Sequence, residues 1–138
     1  MLTEHEKIAR AYYQAFNARD WEAYSRLCTP DCVIEAPGVS LRGVDAVRAF
    51  DQGWVRAFPQ AQIECVRSTD SGERVLFASW IHGGRHDGPM KTPEGEVPAT
   101  GAVLDAGYAA TFEFEGDRIR LQRVIYDPAY VKSLLSGR

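Results

Sequence analysis

The sequence predicts an α+β fold, a cone-shaped roll in which a curved antiparallel or mixed sheet packs against three N-terminal helices. Three observations point there. Apolar residues recur at helical spacing as far as Phe58 and alternate from Gln62 onward. Helices followed by strands in only 138 residues place the helices on one face of a largely antiparallel sheet. The long hairpin near the C-terminus carries Ala106, Gly107, Ala109 and Ala110, small residues that leave room against one face for a ligand.

The elements follow in order. Thr3 and Glu6 form a capping-box pair, and Ile8, Ala11, Tyr12, Ala15 and Phe16 share one face of a helix ending near Asn17. Asp20 caps a short second helix with Trp21, Tyr24, Leu27 and Cys28 inside, and Thr29-Pro30-Asp31 stops it. Residues 32–35 read as a short strand before the Pro37-Gly38 turn. A third helix over about 44–57 presents Val47, Phe50, Trp54 and Phe58 as a stripe, and Phe58-Pro59 ends it. Strands are expected over 62–68, 73–85, 101–115 and 118–126, with a final helix over 128–135. Between them, residues 87–100 hold three prolines and two glycines. A structureless connection of that length is usually a lid or a disordered excursion.

Composition narrows the function classes. No repeat or linker interrupts the chain, so residues 1–138 read as one domain. The net charge of -3 is spread along the chain without a basic stripe, which argues against nucleic-acid binding. The charged start, Met1-Leu2-Thr3-Glu4-His5-Glu6, suggests neither a signal peptide nor a membrane helix. Three cysteines cannot close into a disulfide framework, and Cys28 and Cys32 lack a second close Cys or His pair for zinc. Buried thiols in a cytoplasmic protein, with no metal, are the expectation.

The order and spacing of several segments then carry a resemblance over nearly the full chain. They are Tyr13-Gln14-Ala15-Phe16-Asn17-Ala18-Arg19-Asp20, Leu27-Cys28-Thr29-Pro30-Asp31-Cys32-Val33 and Phe58-Pro59. Further along come Gly84-Arg85-His86-Asp87-Gly88, Pro98-Ala99-Thr100-Gly101, Gly116-Asp117-Arg118-Ile119 and Tyr126-Asp127. Together they resemble the SnoaL-like (polyketide cyclase-like) family within the nuclear transport factor 2-like and ketosteroid isomerase-like superfamily. The resemblance implies a homodimer, an apolar pocket without a cofactor, and often acid–base chemistry on polyketide-like substrates. It also implies a histidine on the penultimate strand and an acid–base aspartate on the last. Counted from the shared turn, those positions fall on Ala110 and Val124, neither of which can move a proton. The Arg-x-Asp of related epoxide hydrolases has an echo in Arg85-His86-Asp87, but its third carboxylate position is again Val124.

Two other residues are therefore the candidate titrating groups, His86 and Asp127. Asp127 precedes Pro128, a pattern that also caps a helix. A carboxylate at a pocket rim would instead gain basicity through burial. His86 sits at the base of the expected lid, and His82 and Trp80 share its face if the strand alternates regularly. Trp54, Trp80, His82, Tyr108, Gln122 and Tyr126 are the candidate substrate-binding residues. The last strand has two possible registers. A two-residue Gly116-Asp117 turn pairs Phe114 with Ile119 and turns Leu121, Arg123, Ile125 and Asp127 inward. The register implied by the resemblance turns Arg120, Gln122, Val124 and Tyr126 inward and leaves Ile119, Leu121 and Ile125 to a dimer. The leading expectation is a cofactor-independent cyclase or isomerase acting on an apolar, oxygenated small molecule. A non-catalytic binding or dimerisation protein of the same fold is the rival, and an epoxide or ester hydrolase using Arg85 and Asp87 is a third reading.

Overall fold

The computed structural model describes residues 1–136. Helix α1 (Glu4–Ala18) starts at Thr3, whose side chain and that of Glu6 satisfy each other's backbone N–H groups as a full capping box. It ends at Arg19, in the left-handed region at φ 58°. The Arg19 guanidinium donates to the carbonyls of Phe16, Pro59 and Ala61, which ties the end of α1 to the segment before the main strands. Asp20 caps α2 (Trp21–Arg26) through the Ala23 N–H. Then follow β1 (Cys28–Ala36), β2 (Val39–Arg42) and α3 (Val44–Ala57). The strands β3 (Gln62–Asp70), β4 (Val75–Arg85), β7 (Val103–Glu115) and β8 (Arg118–Ile125) lie close to their expected positions. Between them sits the hairpin β5 (Met90–Thr92) and β6 (Gly95–Val97), and α4 (Pro128–Leu135) follows the sheet.

Six strands form one mixed sheet in the order β2-β1-β8-β7-β4-β3, in which only the β1–β8 pair is parallel. The helices pack on its concave side. Tyr12, Tyr13, Phe77 and Phe112 meet edge-on and fill the narrow end of the cone. A second cluster of Ala57, Phe58, Ala61, Leu104 and Leu134 closes the side beneath α4.

Two bulges decide which residues face inward. At the β7–β8 turn, Glu115 pairs with Arg118 and Phe114 with Ile119, the two-residue turn of the first register. One extra residue then enters β8, so that Glu113 pairs with Leu121 and Phe112 with Gln122. The turn of one alternative is thus combined with Gln122, Val124 and Tyr126 from the inward set of the other, while Arg120, expected inward with them, is exposed and pairs with Glu113 at 3.4 Å. Gln122, Val124 and Tyr126 face the cavity, while Ile119 and Leu121 are buried within this chain and need no dimer to cover them. The second bulge lies in β4, where Ile81 pairs with Ala106 but Gly84 with Leu104. Gly83, at φ 77°, supplies the left-handed residue there. This corrects the expectation of a shared histidine face: Trp80 and His82 point outward, and His86 points inward.

Two smaller corrections concern breaks in the chain. Thr29-Pro30-Asp31 lies inside β1, as a distortion of the strand, and the helix before it has already ended at Arg26. Residues 87–100 are partly ordered as the β5–β6 hairpin, anchored where Asp87 and Gly88 donate to the Ala57 carbonyl. Gly88 fits because a Cβ there would stand 2.0 Å from the Arg56 carbonyl oxygen.

Candidate active site

Between α1, α3, the sheet and α4 lies a cavity of about 140 Å³. An apolar cavity of that size accepts one six-membered ring. Its walls are mostly apolar or aromatic, with Tyr12, Tyr13 and Phe16 from α1, Phe50 and Trp54 from α3, and Tyr108, Tyr126 and Tyr130 from the C-terminal half. Ala106 and Gly107 leave the space open on the sheet side, as their small size suggested.

Two carboxylates belong to its lining, Asp127 at the rim and Asp51 from α3. Asp51 lies on the inner stripe of α3, four residues after Val47 and three before Trp54. Its Oδ2 accepts from the Tyr24 hydroxyl at 2.5 Å. The Tyr12 proton has three acceptors within reach: Tyr24 Oη at 2.5 Å, Gln122 Oε1 at 2.9 Å and Asp51 Oδ2 at 3.4 Å. The result is a continuous path from Gln122 through two phenols to the carboxylate. Asp51 Oδ1 takes no hydrogen bond from any described residue, which leaves it free to meet a proton of a bound molecule.

The electrostatics follow from burial. No cation lines the cavity among the described residues, so removal from water pushes the Asp51 carboxyl up to about 6, against the opposing pull of the Tyr24 and Tyr12 hydrogen bonds. Burial also holds the Tyr12 and Tyr24 phenols well above their ordinary range, so they remain protonated donors. Tyr13 and Tyr108 are raised for the same reason, beside Ser79 on the sheet side. A carboxyl poised near neutrality, in reach of a ligand and fixed by donors that keep their protons, can act as a general acid or base.

The residues singled out from the sequence divide into two groups. Trp54, Tyr108, Gln122, Tyr126 and Asp127 line the cavity. Asp127 also caps α4 by accepting the Ala129 N–H at 2.9 Å, so one side chain stands at both the helix start and the rim. His86, Trp80 and His82 are elsewhere. His86 is 0% exposed, stacked on Phe58 with ring centroids 5.2 Å apart. Its Nδ1 lies 2.9 Å from the Thr100 hydroxyl and 3.2 Å from the Thr100 N–H, and its buried Nε2 has no hydrogen-bond partner among the described residues. The Thr100 contact holds the base of the β5–β6 excursion. Trp80 lies over Gly107 on the outer face and donates from Nε1 to Asp105 Oδ1 at 2.5 Å. His82 Nε2 is 3.9 Å from Glu64 Oε2 on that same face. Arg85 and Asp87 pair at 3.4 Å, also away from the cavity lining. Ala110 and Val124 are direct cross-strand partners, so the two apolar residues stand side by side where the resemblance implies a histidine and an aspartate.

Sequence reading missed Asp51 and the roles of Tyr12 and Tyr24. The signal was present: an aspartate interrupting the apolar stripe of an amphipathic helix is a buried charge awaiting an explanation.

Comparison with known proteins agrees with this architecture. No curated protein matches the chain in sequence. A candidate SnoaL-like polyketide cyclase from Jannaschia sp. CCS1 superposes with a TM-score of 0.86 at 18% identity, over 98% of this chain and 93% of the other. A candidate polyketide cyclase from Xanthomonas campestris pv. campestris gives 0.80 at 24% identity, over 96% of each chain. A hypothetical protein with a ketosteroid isomerase-like fold from Catenulispora acidiphila, in complex with trimethylamine, gives 0.75 at 13% identity, over 95% and 93%. At these identities the likeness is one of fold. The family model described as the SnoaL-like domain matches residues 9–122, and the chain belongs to that family.

Proposed function

We propose that the chain binds a small, apolar, oxygenated molecule in this cavity and moves a proton on it, with Asp51 as the acid–base group. Cyclisation or isomerisation without a cofactor is the reaction type. The observation that carries this reading is the Asp51 carboxyl, raised to about 6 inside an aromatic cavity with one oxygen unclaimed. Tyr12 and Tyr24 fix its other oxygen, and Gln122 joins the same path. Asp127 stands at the rim, outside the Asp51–Tyr24–Tyr12–Gln122 network.

The test uses one-ring ketones with acidic α-protons, such as 2-cyclohexenone, followed by NMR in D2O. The wild-type chain is expected to accelerate α-deuterium exchange with an apparent pKa near the value of about 6 assigned to Asp51. Asp51→Asn is expected to lose roughly 10²–10⁴-fold of that acceleration, the usual worth of a positioned acid or base. Ketones that bind without any faster exchange would instead support a non-catalytic binding protein. That second reading rests on Ala110 and Val124, apolar at both positions where the resemblance implies proton-transfer residues.

A homodimer through the outer face of the sheet belongs to the same proposal. Leu76, Trp80, Val103 and Ile125 are large apolar residues exposed on that side.

A further inference from the structure

The two cysteines of β1 stand closer than their spacing suggests. Residues four apart in a regular strand are separated by roughly 13 Å. Here β1 pairs with β8 at Cys28↔Ile119 and next at Val33↔Leu121. Five steps along β1 are thus matched by two along β8, a span of roughly 7 Å. The surplus chain bows outward at Pro30 and Asp31, which are exposed, while Cys28 and Cys32 turn inward at 3% and 2% exposure. Disulfides need Cα atoms about 4.4–6.8 Å apart, a range that an ordinary strand forbids and this bowed one approaches.

We propose that Cys28 and Cys32 form an oxidation site, at which a hydroperoxide converts the two facing thiols into an intramolecular disulfide. Cys32 is the first nucleophile. The Cys28 thiol donates to the Tyr24 carbonyl at 3.6 Å, and its closeness holds the Cys32 pKa below the ordinary thiol value, while Cys28 itself is raised, chiefly by its Cys32 neighbour and then by burial. An open groove between α2, the start of α3 and the β7–β8 turn, lined by Trp21, Ser25, Arg48, Arg118 and Cys28, reaches the pair from the Cys28 side, and Cys32 lies behind it at 2% exposure. With hydrogen peroxide the balance is complete. The Cys32 thiolate attacks one oxygen, the O–O bond breaks, and the departing hydroxide takes up a proton as water. The Cys28 sulfur then displaces a second water from the resulting sulfenic acid. Two sulfurs lose two electrons in all, and the peroxide gains them.

The experiment treats the full chain with hydrogen peroxide, alkylates the remaining thiols and digests with trypsin without reduction. Both cysteines fall on the single peptide 27–42. The expected product is that peptide lighter by two hydrogens and unalkylated, with Cys65 still alkylated, and full recovery of three free thiols after dithiothreitol. Cys65→Ser should leave the product unchanged, and Cys28→Ser and Cys32→Ser should each abolish it. Three alkylated cysteines after peroxide, oxidation at Cys65 ahead of the pair, or sulfinic acid in place of the cross-link would each overturn the proposal. Because the principal measurement is made on the wild-type chain, a cysteine variant that fails to fold does not remove the test.

Discussion

Asp51 is a residue whose environment works against the fold and for the site. Its carboxyl rises from 3.8 to about 6 on burial, so the native state binds its proton more tightly than the unfolded chain does. Between those two values the unfolded state carries fewer protons, and this residue's contribution to stability falls as pH rises. The loss is complete above about 6, and a shift of that size corresponds to about 3 kcal/mol. Asp51→Asn keeps an oxygen to accept from Tyr24 and removes the charge. In urea denaturation the variant should match the wild type near pH 4 and exceed it at pH 7.5. Equal stability at both pH values would mean that Asp51 is not desolvated as described. The sequence exposed only part of this site. Tyr108 could be placed on the cavity wall from strand spacing, and Gln122 and Tyr126 from the register that the resemblance implies, whereas Asp51 was hidden within a helix whose apolar stripe looked sufficient to explain it. A pair such as Tyr12 and Tyr24 reads as core until the carboxylate between them is noticed.

At the scale of elements, bulges and caps set what each strand presents. The alternation of β4 is regular through Ile81, and nothing in a periodic reading marks Gly83 as the residue that sends His86 inward. The same holds for β8, where the extra residue after Ile119 reconciles a tight turn with an inward Gln122. Element positions were legible because caps and period changes are local signals, but a one-residue insertion in a pairing depends on the partner strand. Helix α4 offers a test of how an element and the site share a residue. Asp127→Ala removes the acceptor for the Ala129 N–H and should cost about 1 kcal/mol in urea denaturation. Asp127→Asn keeps that acceptor and should keep both stability and ketone exchange. An Asn variant with native stability and abolished exchange would transfer the acid–base role from Asp51 to Asp127.

For the whole molecule, the helices explain how one face of the sheet is covered and leave the other face open. The α+β class and the cone were legible because the switch from helical to alternating periods divides the chain cleanly, and the small residues of β7 marked where the cone stays hollow. The outer face was less legible, since Leu121 looked like a dimer residue and is already buried here, while Trp80 looked like a pocket wall and is 43% exposed on the convex side. Around Trp80 the outward positions include Leu76, Ala78, Ala109 and Ile125, a largely apolar strip running across β4, β7 and β8. Such a strip is costly to leave in water and suits a self-complementary contact between two copies. Ile125, at 58% exposure, makes the cleaner probe, because replacing it disturbs little within one chain. Sedimentation velocity at micromolar concentration should show a dimer for the wild type and a monomer for Ile125→Glu, with unchanged circular dichroism. Two facing copies would bring their glutamates together in a desolvated contact, where unpaired like charges oppose association strongly. A wild-type chain that sediments as a monomer, or a variant that stays dimeric, would place the subunit contact elsewhere or remove it.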